Sequence, residues 1–363
     1  MQDRLNRMLR YMEKKEIDAA LITHPKNVFY LTGFFTDPHE RFMALVLIKG
    51  EEPFLFLPAL DRDKAAESSL VTKIYTYNDD ENPYEVWKSH LPSTIDRLGV
   101  ETGHLTARNY KAVAEALRPK EIVDVEEPLQ NMRQIKSQEE LTAIRKAIWV
   151  IEEGLRLTLP KVKRGVSERD IAAELEYQTK KLGAEGPSFS TIVLTGKKAG
   201  MPHGTPGDRT VREGEVLLID AGVFVDGYVS DLTRTFAIGE LDHVLMDMYS
   251  TVLEANLRAI EAVRPQTPIS EVDRVARDVI RNKGYGEYFI NRVGHGIGLE
   301  IHEYPSVHGR APGELLEGMV FTIEPGIYNP LIGGIRIEDD VLVTKEGVEV
   351  LTTFPKEMIT IEL

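Results

Sequence analysis

The sequence predicts two domains in succession. Residues 1–130 read as an α/β layer domain, and residues 131–363 read as a second domain of two related halves facing each other. Three observations predict this. The chain has 363 residues, more than one hydrophobic core ordinarily organises. Helix and strand signals alternate through the first third, as in an α/β layer domain. Beyond that point apolar strands end in acidic residues, and one helical stretch occurs twice.

In the first domain, residues 3–15 have the period of an amphipathic helix and lead into the strand-like IDAALIT. RFMALVLI and PFLFLPAL are further strands. DRDKAAESSL reads as a helix, KIYTYN as a strand and YKAVAEAL as a helix. No phosphate loop interrupts them. His24, His39, His90 and His104 are expected to be structural or surface residues.

EEPLQNMRQIKSQEE marks the crossing between domains. Ser137-x-x-Glu140 is a capping box and opens a long helix from Gln138 to about Leu159. GVSERDIAAELEYQTKKLG then resembles PISEVDRVARDVIRNKG further on. Each carries Ser-Glu-x-Asp, from Ser167 and Ser270, at an expected helix start. At similar distances downstream, strands end in Asp220 and in Glu324, which suggests duplicated halves.

The first of these strands continues as IDAGVFVDGYVSDLTRTF, residues 219–236. Asp226-Gly227 signals a type I′ hairpin, whose two central positions need positive φ. That turn pairs Asp220 with Thr233 and Gly222 with Asp231. Side chains alternate across a strand, so Asp220 and Asp231 fall on one face as diagonal neighbours, roughly 7–8 Å apart at the backbone. Gly222 is expected to leave room between them. Two readings stay open here: hairpin-edge aspartates in solvent, or like charges converging on a cation.

The second half widens the set. GMVFTIEPGIY ends an apolar strand in Glu324, and GGIRIEDDVLV places Glu338 within another strand. Alternation there sends Ile335 and Ile337 one way, and Arg336 and Glu338 the other. NRVGHGIGLEIHE holds His295 between glycines, with His302 seven residues further on, and MPHGTPG holds His203 in a loop. Four carboxylates and an imidazole suit divalent manganese or magnesium or, with the imidazole, cobalt, iron or zinc. Two ions about 3.5–4 Å apart would neutralise the acids and form a hydrolytic site.

Composition narrows the alternatives. Acids outnumber bases 58 to 44, a net charge of −14, which argues against nucleic acid or an anionic membrane as the partner. The chain contains no cysteine, so it has no thiolate nucleophile and no cysteine-ligated zinc. No apolar run approaches the ~18 residues of a membrane span. The first twenty residues read as a polar amphipathic helix and not as a signal peptide, so a cytoplasmic protein is expected.

The set IDAGVFVDGYVSDLTRTF, VGHGIGLEIHE, TIEPGIY and GGIRIEDD, with MPHG upstream, resembles the pita-bread metallopeptidases. More closely it is similar to the Xaa-Pro dipeptidase (prolidase) and aminopeptidase P branch. The resemblance covers residues 130–363, and the N-terminal part is similar to the creatinase-type domain of that branch. It implies an α+β pita-bread catalytic domain after the α/β domain. It also implies metal-dependent hydrolysis of Xaa-Pro bonds by a hydroxide bridging two divalent ions, manganese first, with cobalt or zinc as alternatives. The implied ligands are Asp220, Asp231, His295, Glu324 and Glu338, with Asp231 and Glu338 bridging. Glu324 is implied as the proton shuttle, and His302 and His203 as groups at the scissile carbonyl or leaving proline. Phe189 is implied at the proline pocket, and Thr233, Tyr328 and Arg336 around the ligands. A small peptide substrate and a homodimer follow from the same resemblance.

Some prolidases carry an arginine shortly after the second histidine, assigned to the substrate carboxylate. HEYPSVHG has Ser306 and His308 there. Dipeptides are therefore expected to be cleaved with some tolerance for X-Pro-Y, with Arg310 or His308 as substitutes. Aminopeptidase P activity on longer peptides is the alternative. Methionine aminopeptidase is disfavoured by the first domain, and creatinase-like chemistry by the complete ligand set. A pita-bread binding module without catalysis is the non-enzyme alternative, and metal binding separates it from the others.

Overall fold

In the first unit, short apolar runs form strands and the intervening amphipathic stretches cover them. The computed structural model describes residues 2–363 and divides at Met132/Arg133 into two units. The first contains α1 (Gln2–Lys14), β1 (Ala19–Ile22), α2 (Pro25–Thr32), β2 (Ala44–Ile48), β3 (Phe54–Pro58) and α3 (Arg62–Ser68). It continues with β4 (Lys73–Tyr77), α4 (Pro83–Lys88), β5 (Arg97–Val100), α5 (Ala107–Leu117) and β6 (Glu121–Asp124). The six strands form one mixed sheet in the order β4-β3-β2-β1-β5-β6. The strands and helices read from apolar pattern are present. Short elements escaped that reading: α2 and α4, each opened by a proline, and β5 and β6. A helix α6 (Glu126–Gln134) also runs through the stretch read as a crossing. His24 caps α2 through Nδ1, and His90 stacks on Tyr75.

The second unit follows with α7 (Gln138–Thr158), α8 (Glu168–Lys181), β7 (Gly186–Pro187), β8 (Ile192–Thr195), β9 (Glu215–Ala221), β10 (Val223–Val225), β11 (Tyr228–Val229) and β12 (Leu232–Ile238). Then come α9 (His243–Glu261), α10 (Ile269–Asn282), β13 (Gly294–Gly296), β14 (Glu303–Val307) and β15 (Val320–Ile323). The chain ends with β16 (Gly326–Asn329), β17 (Gly333–Arg336), β18 (Asp339–Thr344), β19 (Gly347–Val350) and β20 (Thr360–Ile361). The Ser137–Glu140 capping box is formed at the start of α7. Two sheets dominate, β20-β12-β9-β8 and β14-β13-β15-β18-β19, beside the ribbons β11-β10-β7 and β16-β17.

β9 explains how the halves are held. It is apolar on both faces, so it belongs to two cores at once. Val216 and Leu218 pack with α9, α10, β15 and β18. Leu217 and Ile219 pack with α7, α8 and β12. β9 pairs with β12 on one edge and with β8 on the other, and the two registers fix where Asp220, its penultimate residue, lies opposite Thr233 and Ile192.

The structure corrects three local expectations. Ser167 is the N-cap of α8, but Ser270 lies inside the first turn of α10, whose N-cap is Pro268. The bridges Ser167↔Thr210 and Pro268↔Glu314 mark the equivalent starts, so the shared Ser-Glu-x-Asp motif is out of step by two residues. Glu338 does not lie within a strand; it sits between β17 and β18. Gly222 does not clear space between the aspartates. A Cβ there would lie 2.0 Å from the Ser230 carbonyl oxygen and 2.3 Å from Ser188 Oγ, so glycine is needed because the ribbon's backbones approach closely. Among the described residues, no helix is long and apolar enough to cross a membrane.

Candidate metal centre and its pocket

The hairpin register is the one its turn chemistry predicts. Asp226 and Gly227 have φ of 51° and 78°, Val225 pairs with Tyr228, and Thr233 pairs with Asp220. Asp220 and Asp231 are 7% and 4% exposed, which removes the reading of solvated hairpin-edge aspartates. β15 delivers Glu324 from the facing sheet, and the Glu324 N–H donates to the Val293 carbonyl, 2.7 Å away. β13 delivers His295, whose N–H donates to Thr322 Oγ1 at 3.1 Å. After β17, Glu338 is placed by its own N–H on the Thr233 carbonyl at 3.2 Å. Ile335 and Ile337 enter the core, while Arg336 and Glu338 face the pocket, so the alternation expected from the sequence continues past the end of β17.

Asp231, His295 and Glu338 each offer a ligand atom, all within 4.8 Å of one another. His295 Nε2 lies 3.7 Å from Asp231 Oδ2 and 3.3 Å from Glu324 Oε1. Asp220 stands outside this tight group but lines the same pocket. Its carboxylate is gripped by the Arg336 guanidinium. Arg336 also donates to Tyr328 Oη at 2.8 Å and to Thr233 Oγ1 at 3.0 Å. The Thr233 hydroxyl donates in turn to Glu338, 2.6 Å away. Thr233, Tyr328 and Arg336 thus form one connected brace under Asp220 and Glu338.

The electrostatics of this donor set call for cations. Burial, then repulsion from Glu338, Asp220, Asp340 and Glu324, pushes the Asp231 carboxyl well above its ordinary range. Burial, then Glu324 and Asp220, does the same to Glu338. Asp220 is raised by burial despite Arg336, and its Oδ1 is a buried acceptor with no hydrogen-bond partner. Burial also opposes ionisation of Glu324, but the His295 hydrogen bond and the positive charges of His295, Arg336 and Arg292 outweigh it and hold Glu324 below its ordinary value. Four convergent carboxylates, one orphaned oxygen and one imidazole fit divalent metal. The residues present therefore fit divalent metal, as expected from the sequence.

These groups line a cavity of ≈ 510 Å³ together with Phe189, His203, His302 and Tyr328, a size ordinary for small-ligand sites. His302 sets its ring edge-on to His295, centroids 4.2 Å apart. Lost hydration, then the positive charges of His295 and Arg292, pushes the His302 imidazole down to about 4. It is neutral at pH 7. Sequence reasoning missed Ile192, Pro202, Ile301, Asn291 and Arg292, which also line the cavity. Arg292 lies in the quoted NRVGHGIGLEIHE, three residues before His295, and a charged residue beside a candidate ligand was the available signal. Arg310 and His308 do not line this cavity. They border a separate groove with Ser270 and Arg274, because β14 turns them toward α10.

Comparison with known proteins gives a consistent picture. Residues 142–345 match the model of metallopeptidase family M24, and residues 4–135 match the creatinase/prolidase N-terminal domain. YkvY of Bacillus subtilis (strain 168) is 42% identical over 98% of this chain and 99% of its own length. The crystal structure of the prolidase from Pyrococcus horikoshii OT3 superposes with a TM-score of 0.92 at 36% identity, covering 98% of this chain and 100% of that one. The Xaa-Pro dipeptidase from Bacillus anthracis gives a TM-score of 0.92 at 33% identity, with 99% of each chain covered.

Proposed function

This chain belongs to metallopeptidase family M24, and on that premise we propose that it hydrolyses Xaa-Pro peptide bonds as a divalent-metal-dependent Xaa-Pro dipeptidase. The observation that carries the reading is the convergence of Asp220, Asp231, His295, Glu324 and Glu338 on one small-ligand cavity. Full-length similarity to a prolidase and an Xaa-Pro dipeptidase supports the choice of bond. A binding module without catalysis is disfavoured, since no donor position has been lost.

In this reading Asp220, Asp231, His295, Glu324 and Glu338 would hold the divalent metal, with Asp231 and Glu338 as the shared ligands that the family resemblance implies. Metal held by these residues would supply Lewis acidity toward a carbonyl and would lower the pKa of water to about 7. The chain's own groups do the rest. Glu324, held ionised, accepts the proton of the attacking water and returns it to the proline nitrogen. That nitrogen needs the proton because an X–Pro amide has no N–H of its own. Neutral His302 donates to the carbonyl as it gains charge, and His203 steadies the leaving proline from its loop. Phe189, Ile192 and Pro202 wall the ring. Thr233, Tyr328 and Arg336 keep Asp220 and Glu338 oriented. We assign manganese as the first metal to test, before cobalt and zinc. A homodimer and a cytoplasmic location complete the reading; the first rests on the family resemblance, the second on a sequence without cysteine.

The test is direct. Protein stripped by chelation should lose hydrolysis of Ala-Pro and regain it with manganese or cobalt, with two ions bound per chain. Full turnover in protein shown metal-free by elemental analysis would sink the metal assignment. Equal kcat/KM for Ala-Ala and Ala-Pro would sink proline specificity.

A further inference from the structure

Of the two histidines placed near the reacting centre, His203 has the weaker support. His302 sets its ring against His295. His203 is an exposed residue of the cavity wall, and among the described residues no hydrogen bond holds its imidazole. Its place is set by its backbone. The Gly204 N–H donates to the Met201 carbonyl at 2.9 Å and closes a tight turn, with Pro202 at the position where such turns favour proline. The turn lies between β8 and β9, just beyond a 3₁₀ turn at Gly196–Gly200. The approach to it rests on β17, where a Cβ on Gly334 would lie 2.0 Å from the Ala199 carbonyl oxygen. The return, at Gly207, rests on α8.

The group that joins approach and return is Glu168, the first residue of α8. The helix start does not need it, since Ser167 and Asp170 already form a capping box there. An acid in a first helical turn ordinarily stays in solvent, where the helix dipole favours it. The Glu168 side chain is instead 0% exposed. Its Oε1 accepts from the N–H of Thr195, at the end of β8, at 2.8 Å. Its Oε2 accepts from the Gly207 N–H at 3.0 Å and meets the Lys198 ammonium at 2.5 Å. The Arg169 N–H adds a bond to the Gly207 carbonyl at 3.1 Å. A buried carboxylate is costly unless its oxygens are met. Here both are met, and all three donors come from the stretch that carries His203.

We propose that Glu168, with Lys198, is a positioning residue for His203: it touches no substrate but sets where the loop holds the imidazole against the cavity. This rests on the role given to His203 above. Charge-assisted bonds are shorter and stronger than neutral ones, so one ionised side chain fixes both flanks of the turn. Glu168→Gln keeps the shape and one acceptor but turns an NH2 toward N–H donors, which loosens one flank. A displacement of about 1 Å at a reacting group can cost on the order of 10²-fold in rate.

The experiment is a double-mutant cycle on manganese-loaded enzyme with Ala-Pro. Glu168→Gln should lower kcat by about 10- to 100-fold with KM within about twofold, and Lys198→Met should lower it several-fold. In a His203→Ala background each should change kcat by less than about twofold, because both act through the missing ring. A merely structural role would give additive losses. The NMR signal of the His203 Cε1–H in zinc-loaded enzyme, assigned by its absence from His203→Ala, gives a readout independent of turnover. Glu168→Gln should shift or broaden that signal and leave the His302 signal in place. Melting temperature and metal content are measured for each variant; if Glu168→Gln does not fold, Lys198→Met carries both readouts. Additive losses overturn the proposal, as does an unmoved His203 signal or a His203→Ala enzyme with wild-type kcat. Should the wild type cleave Ala-Ala but not Ala-Pro, the Xaa-Pro reading fails on its own, and the same cycle on Ala-Ala decides the positioning role. Should it cleave neither, the peptidase reading fails and the ring signal decides.

Discussion

At the scale of single residues, the centre is defined by charges that are unfavourable together. Asp231 is buried beside Glu338, Asp220 and Asp340, and its own N–H is committed to Asp340 Oδ2 at 3.1 Å. An amide at this position removes one charge but cannot bridge two cations. Asp231→Asn should therefore bind at least one ion fewer and lose nearly all turnover. Its metal-free form should melt higher than metal-free wild type, because one of the mutually repelling buried carboxylates is gone. His302→Ala should do the opposite, keeping metal and stability while kcat falls on the order of 10²–10³-fold. Elemental analysis, melting curves and Ala-Pro kinetics on the two variants test both assignments. Two ions and normal turnover in Asp231→Asn would remove it as a bridge, and metal loss in His302→Ala would make His302 a ligand.

At the scale of elements, the loop between β13 and β14 is held by a buried ion cluster. Glu303 Oε1 accepts from the N–H groups of Leu299 and Glu300, at 2.7 and 3.0 Å. The same carboxylate meets Arg133 at 2.5 Å and Lys136 at 3.5 Å. Burial opposes ionisation of Glu303, yet Arg133 and Lys136 hold it below its ordinary 4.5. A depressed carboxyl contributes stability that is present above its unfolded pKa and lost as pH falls through the folded value. Arg133→Ala leaves Glu303 buried with less compensation, so it should cost about 3–5 kcal/mol at pH 7. The Glu303 pKa should rise, and acid unfolding should begin at higher pH than in the wild type. Urea melts at pH 7 and an acid titration measure both. Unchanged stability at pH 7 would mean the cluster does not secure the loop that carries His302.

At the scale of the molecule, each unit has its own core. In the first, Leu21, Val46, Phe56, Trp87 and Leu98 belong to one buried cluster around a six-stranded sheet that is complete within residues 1–132. A fragment of residues 1–135 should consequently fold alone and melt cooperatively, as judged by circular dichroism. A fragment without a cooperative transition would show that the sheet needs the rest of the chain.

How much of this was legible in the chain depends on whether the signal is local. The hairpin at Asp226-Gly227 was readable because turn chemistry and strand alternation act over a few residues, and they set the Asp220–Thr233 register. Strand-ending acids marked Glu324 for the same reason. The alternating first domain was readable from apolar period, except where short proline-opened helices such as α2 and α4 offer too few turns to show one. Two things were decided only by the fold. One is the exclusion of water from Asp231, which turns an ordinary acid into a group that needs a cation. The other is pairing: Arg336 and Arg292 look alike as letters, but β17 sets one against Asp220 while the β13–β14 ladder leaves the other facing Ser306. Which charges are neutralised is a sum over groups distant in sequence, so tertiary packing, and no local pattern, settles which arginine is paired with a carboxylate.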